Sequence, residues 1–172
     1  MSGFRLFCIS VALFVSCHCL SAQVYLQTTT YNNCTVIVPT KDNLIKLVNC
    51  TAEQFKSTMR QYRYSPSEGY SGLAYVYDNW SLDLFLDNDR GVGGNHIEFD
   101  TYERYVAYTV MQDQVWPRTA IQDLRESMRP YYQKTTNGVD YFVSEDSTYY
   151  YAFTLYKRDS LIYFIVKRYI KR

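Results

Sequence analysis

Tyr149-Tyr150-Tyr151-Ala152-Phe153-Thr154-Leu155-Tyr156-Lys157-Arg158-Asp159-Ser160-Leu161-Ile162-Tyr163-Phe164-Ile165-Val166 alternates in character on both sides of a polar break. That period of two is the signature of two strands joined by a tight turn. A two-residue turn at Arg158-Asp159 pairs residues whose numbers sum to 317. One face then carries Tyr149, Tyr151, Phe153 and Leu155 against Ile162, Phe164 and Val166. The other carries Tyr150, Ala152, Thr154 and Tyr156 against Leu161, Tyr163 and Ile165. The first face is apolar enough to lie under helices. The second is amphipathic and rich in tyrosine, a residue that buries a large ring while keeping a polar end.

Working upstream, Asn137-Gly138 is a strong hairpin turn, and strands are expected at 139–144, 148–157 and 160–170. Before them, Thr119-Ala120-Ile121-Gln122 reads as a helix cap, with Ala120, Ile121, Leu124 and Met128 as the apolar stripe and Pro130 as the stop. The same cap occurs 68 residues earlier at Thr51-Ala52-Glu53-Gln54. There it precedes Phe55, Met59 and Tyr62 at helical spacing. Strands follow at Leu73–Tyr77, from Trp80 to Asp87, around Ile97 and Phe99, and at Tyr105–Gln112. Each half is thus a helix followed by an antiparallel meander. The expected fold is α+β, an antiparallel sheet covered on one face by two helices, with candidate half-repeats at 23–115 and 116–172.

The first 22 residues stand apart: Arg5 precedes an apolar run, and small residues follow at Ser21-Ala22. This is the shape of a secretory signal cleaved before Gln23. Val15-Ser16-Cys17 offers lipid anchoring at Cys17 as a minor alternative. The expected location is secreted or periplasmic. The mature 150 residues form one domain with 17 charges of each sign, which removes the basic footprint of a nucleic-acid binder. No later apolar run approaches the roughly 20 residues of a membrane span.

Two cysteines remain, Cys34 and Cys50. Val36-Ile37-Val38 and Leu44-Ile45-Lys46-Leu47-Val48 read as a hairpin centred on Asp42. That hairpin sets Cys34 opposite Cys50, and in an oxidising compartment a disulfide is expected. Asn33, Asn49 and Asn79 each begin a glycosylation sequon.

Motifs with chemistry are few. Asp87, Asp89 and Glu98 match positions 1, 3 and 12 of a calcium loop, but Val92 replaces the turn glycine and Gly91 supplies no side-chain ligand. No metal or cofactor is expected. Gly91-Val92-Gly93-Gly94 opens no helix, so it lacks the dipole of a phosphate loop. His96 shares a strand face with Glu98, the arrangement a small acid–base hydrolase would use. Charge is segregated: seven acids lie between Asp78 and Glu103, and six bases between Lys157 and Arg172. The expectation is an exported, non-catalytic binding module whose contact residues are Tyr150, Tyr156, Tyr163 and Trp80. Its partner would be a protein, with a glycan as the alternative and a His96/Glu98 hydrolase as the third reading.

Overall fold

The computed structural model describes residues 24–31, 34–67, 73–77, 96–111, 115–159 and 161–172. The fold is α+β, and the described residues form ten strands in two antiparallel sheets and three α-helices. Strands β1 (Thr28–Tyr31) and β2 (Cys34–Ile37) form a small hairpin. Helices α1 (Lys41–Asn49) and α2 (Ala52–Gln61) follow. A first meander comprises β3 (Tyr64–Ser67), β4 (Leu73–Tyr77), β5 (His96–Asp100) and β6 (Tyr105–Met111). Helix α3 (Val115–Met128) and a 3-10 turn (Arg129–Tyr131) lead to the second. This is β7 (Tyr132–Thr136), β8 (Val139–Glu145), β9 (Tyr149–Arg158) and β10 (Leu161–Ile170).

The meanders join into one eight-stranded sheet of order β3-β4-β5-β6-β10-β9-β8-β7. Their last strands meet at the seam, where Val106 pairs with Val166, Tyr108 with Phe164 and Val110 with Ile162. From either edge inward the sheet runs through four strands in chain order.

One face is the core. Ile97, Phe99, Val106, Tyr108, Phe153, Leu155, Ile162, Phe164 and Val166 are buried there with Leu44, Leu47, Phe55, Met59, Leu124 and Met128 of the helices. Each such side chain contributes roughly 1.5–3 kcal/mol on burial. All three helices and the β1–β2 hairpin supply this core, a larger covering layer than the two helices expected. Among the described residues no helix is long and apolar enough to cross a membrane.

The hairpin centred on Asp42 does not form. Residues 41–49 are helical, because Leu44, Leu47 and Val48 make an apolar stripe at i, i+3, i+4 and Thr40 caps the first turn by accepting from Asn43 N at 3.2 Å. A five-residue apolar run cannot by itself distinguish the two periods. The geometric basis for a Cys34–Cys50 disulfide goes with the hairpin. Cys50 is a free, buried thiol between α1 and α2, donating to the Lys46 carbonyl at 3.3 Å. Burial pushes its pKa up to about 11. The Cys34 side chain lies outside the described residues.

Two further readings shift. Helix α3 starts at Val115, so Thr119 lies inside it and not at its N-cap position. Pro117 sits in the first turn, where its missing N–H is no loss. In the last hairpin Arg158 pairs with Leu161, making the sum 319. Asp159 takes the left-handed turn position at φ 55, which Asp tolerates better than Arg. A slip of two residues moves every partner but leaves every side chain on its face. The Asn137-Gly138 turn holds as read, with φ 52 and 76.

Polar side chains stitch the N-terminal segment to this core. Asn43, fully buried, accepts from Gln27 N at 2.9 Å and donates to Gln27 O and Val38 O at 2.8 Å each. The Tyr62 hydroxyl accepts from Leu26 N at 2.7 Å. Tyr64 accepts from Ile37 N at 3.2 Å, and the Tyr108 hydroxyl donates to Ile37 O.

Asn43→Ala takes the partner of Gln27 N and one of the two donors at each of Gln27 O and Val38 O, and should cost about 3 kcal/mol in denaturant melts. Thr40→Ala, which removes one half-buried cap, should cost about 1 kcal/mol. Equal small losses for both would contradict the stitching role. The Cys50 thiol should resist a water-soluble disulfide reagent in native protein and react on unfolding. Fast native labelling, or a mass showing Cys50 in a disulfide, would contradict its placement.

Candidate functional site

The face opposite the helices is ordered by strand register into rows. One row runs His96, Thr109, Tyr163, Tyr156, Val139 across five strands. The next runs Glu98, Ala107, Ile165, Thr154, Tyr141. A third runs Asp100, Tyr105, Lys167, Ala152, Val143, and Tyr169, Tyr150 and Glu145 close the end. Period-two alternation places these residues here because their neighbours in each strand are needed by the core.

Three of the four expected contact residues are thus brought to one face. Tyr150 is 44% exposed, and Tyr169 directly opposite it is 48% exposed. The Lys171 ammonium lies 4.9 Å from the Tyr150 ring centre, a cation–π contact. Tyr156 and Tyr163 pair across β9 and β10 and stack with centroids 4.8 Å apart at 7°. Both are half-buried. Burial raises the Tyr156 phenol pKa, and Tyr163 adds to the rise. Trp80 lies outside the described residues, as do Asp87, Asp89, the 91–94 glycine loop, Asn33 and Asn79.

Tyr169 and Tyr105 belong to the same surface and were not singled out from sequence. Carrying the alternation of β10 past Val166 to the chain end would have found Tyr169. Tyr105 sits beside a break in the pattern, the Asp100–Arg104 turn, where Asp100 Oδ1 accepts from Tyr102 N and Glu103 N at 2.8 Å each.

His96 and Glu98 share this face at the β5 end, two residues apart. Glu98 Oε1 accepts from the Tyr105 hydroxyl at 3.3 Å. No hydrogen bond joins His96 to Glu98 among the described residues. Burial lowers the His96 pKa and the Glu98 carboxylate pulls it the other way.

The basic end of the chain is largely paired within the molecule. Lys167 bonds Glu103 at 2.6 Å and Lys171 bonds Glu145 at 2.9 Å. Arg168 donates to Asn49 Oδ1 at 2.8 Å and stacks 4.3 Å from the Tyr149 ring centre. Asn49 in turn donates to the Tyr151 hydroxyl at 2.9 Å, which donates to Asp146 Oδ2 at 2.6 Å. That hydroxyl, with the Thr148 and Tyr149 amides, holds the Asp146 pKa below the ordinary carboxylate range. Of the three sequons, Asn49 therefore has both ends of its carboxamide engaged. Among the described residues no cluster of three His, Cys, Asp or Glu side chains has metal-binding geometry.

Comparison with known proteins finds no family model, no curated protein and no solved structure that matches this chain.

Proposed function

We propose that this chain is an exported, single-domain binding module without catalysis, and that Tyr150, Tyr156 and Tyr163 form the centre of its contact surface, with Tyr169 at the margin. The observation that carries the reading is the register. It gathers these rings on the sheet face that the helices leave alone, while equally large tyrosines on the other face are sealed into the core. A face turned only to water would need no such investment in rings. Amphipathic rings at an interface supply contact area at low side-chain entropy.

Protein contact is favoured over sugar contact by the stacked pair. Tyr156 and Tyr163 each turn one ring face to the other, leaving less flat surface for a pyranose than two separate rings would. The leader at residues 1–22 supports export. The matching order of helix and four-strand meander in both halves supports a duplicated origin, although the second Thr-Ala-x-Gln cap no longer does.

Denaturant melts of single variants test the surface without knowledge of the partner. Tyr150→Ser should change stability by no more than about 0.5 kcal/mol. Tyr156→Ser and Tyr163→Ser should each lose about 1–2 kcal/mol, the scale of one stacked aromatic contact plus partial burial. Losses of about 3–5 kcal/mol at all three would make them core residues. Peptide-display selection on the immobilised protein should enrich binders that Tyr163→Ser weakens about tenfold or more. A glycan array whose hits are lost in the same variant would replace protein contact by sugar contact.

A further inference from the structure

The two edges of the large sheet differ. Strand β3 carries Pro66, which has no N–H to offer a neighbouring strand. Strand β7, Tyr132-Gln133-Lys134-Thr135-Thr136, contains no proline, and all five of its residues are exposed. Among the described residues it pairs with β8 on one side only.

A cavity of about 170 Å³ opens beside this edge, on the helix side of the sheet, lined by Arg125, Arg129, Tyr132, Asp140 and Phe142. Its floor is the buried Phe142 ring, and its wall is Tyr132, set edge-on to Phe142 with centroids 5.8 Å apart. The volume is below that of sites for drug-sized molecules and suits one side chain. Both oxygens of Asp140 are engaged, Oδ2 with Arg125 at 3.1 Å and Oδ1 with the Thr135 hydroxyl at 2.7 Å. Arg125 is thereby fixed in place. The Arg129 side chain, one helical turn on, has no ion pair or hydrogen bond among the described residues. The adjacent acid on α3, Glu126, is bonded to Gln122 at 3.1 Å. The cavity therefore holds one uncompensated guanidinium above an aromatic floor.

We propose that the β7 edge and the Arg129 cavity together form a docking site for an extended peptide segment carrying an acidic side chain. The segment adds as a ninth strand beside β7, its backbone pairing with the unpaired edge, and its carboxylate enters the cavity to meet Arg129. Main-chain pairing supplies affinity and the cavity supplies selectivity, the division of labour of strand-addition sites. The edge's own guards fit this ligand class. The bulge at Gln133 and the charge of Lys134 discourage indiscriminate strand pairing. Lys134 lies back over the Tyr141 ring at 5.6 Å, so its charge remains near the edge without blocking it. An acidic strand is attracted by that charge and a basic one is repelled. The site is separate from the tyrosine face, so either reading can fail alone.

The test uses a short blocked peptide that alternates Thr and Val around one central Glu, a twin with Gln in its place, and a twin with N-methylated backbone amides. Binding to the full chain is followed by amide chemical shifts. The Glu peptide should bind saturably and shift the amides of Tyr132 to Thr136. The Gln twin, or Arg129→Ala in the protein, should weaken binding about tenfold or more, the scale of one charge-assisted hydrogen bond. The N-methylated twin should not bind, and Tyr163→Ser should leave the affinity unchanged. Arg129 is exposed, so its replacement should leave the melt unaltered. The Glu and Gln comparison on the native chain stands even if that variant fails to fold. No saturable binding of the Glu peptide overturns the proposal. So does an affinity indifferent to both changes of charge, or shifts centred on Tyr156 and Tyr163.

Discussion

The pairing of β6 with β10 is the constraint on which the rest depends. Each meander alone is a four-stranded sheet with a long hydrophobic inner edge strand, Val106-Ala107-Tyr108-Thr109-Val110 in one and Ile162-Tyr163-Phe164-Ile165-Val166 in the other. Joining them removes both edges at once and makes one continuous apolar face of Ile97, Tyr108, Phe164 and Leu155. Because side chains alternate strictly along a strand, the register that puts Phe164 against Tyr108 also turns Tyr163 and Ile165 outward. The tyrosine-rich outer face is thus a consequence of the seam. A one-residue slip there would bury Tyr163 and expose Phe164.

Tyrosine serves two ends in this molecule. Tyr64, Tyr108 and Tyr151 are sealed under the helices; the Tyr64 and Tyr108 hydroxyls bond the buried Ile37 backbone, and the Tyr151 hydroxyl reaches out to Asn49 and Asp146. With Asn43 and Tyr62 they attach the N-terminal hairpin and the last turn of α1 to the sheet. At Tyr64 or Tyr108 a phenylalanine would fill the same volume and leave the buried Ile37 backbone without that partner. Tyr150, Tyr156, Tyr163 and Tyr169 have the same chemistry on the opposite face, where ring contacts with each other and with lysine ammonium groups replace that stitching.

Much of this was legible in the sequence, and the failures have physical causes. The faces of β9 and β10 follow from alternation alone, which is indifferent to the two-residue slip that misplaced the turn by one position. The α2 capping box was readable because Thr51 and Gln54 satisfy each other locally. Helix α1 was misread because Leu44-Ile45-Lys46-Leu47-Val48 satisfies both periods, and only Asn43, bonding back to Gln27 and Val38, decides between them. Strands β3 and β7 went unseen. One contains a proline and the other has no buried residue, so neither shows an apolar pattern. The Arg129 cavity was invisible for a different reason: it joins α3 to β8 across a turn, and no local motif encodes such a meeting. The Cys34–Cys50 pairing lost its geometric support with the hairpin that motivated it, and Cys50 is a free thiol.

The division of tyrosines between two faces is the central claim, and solvent relaxation of ring-labelled tyrosines measures it directly. A soluble gadolinium chelate should broaden the ring signals of Tyr150 and Tyr169 strongly and those of Tyr156 and Tyr163 partially. It should leave Tyr64, Tyr108 and Tyr151 sharp in the native protein. Broadening of Tyr108 or Tyr151 to the level of Tyr150, or complete protection of Tyr150, would contradict the register at the seam and the tyrosine face derived from it.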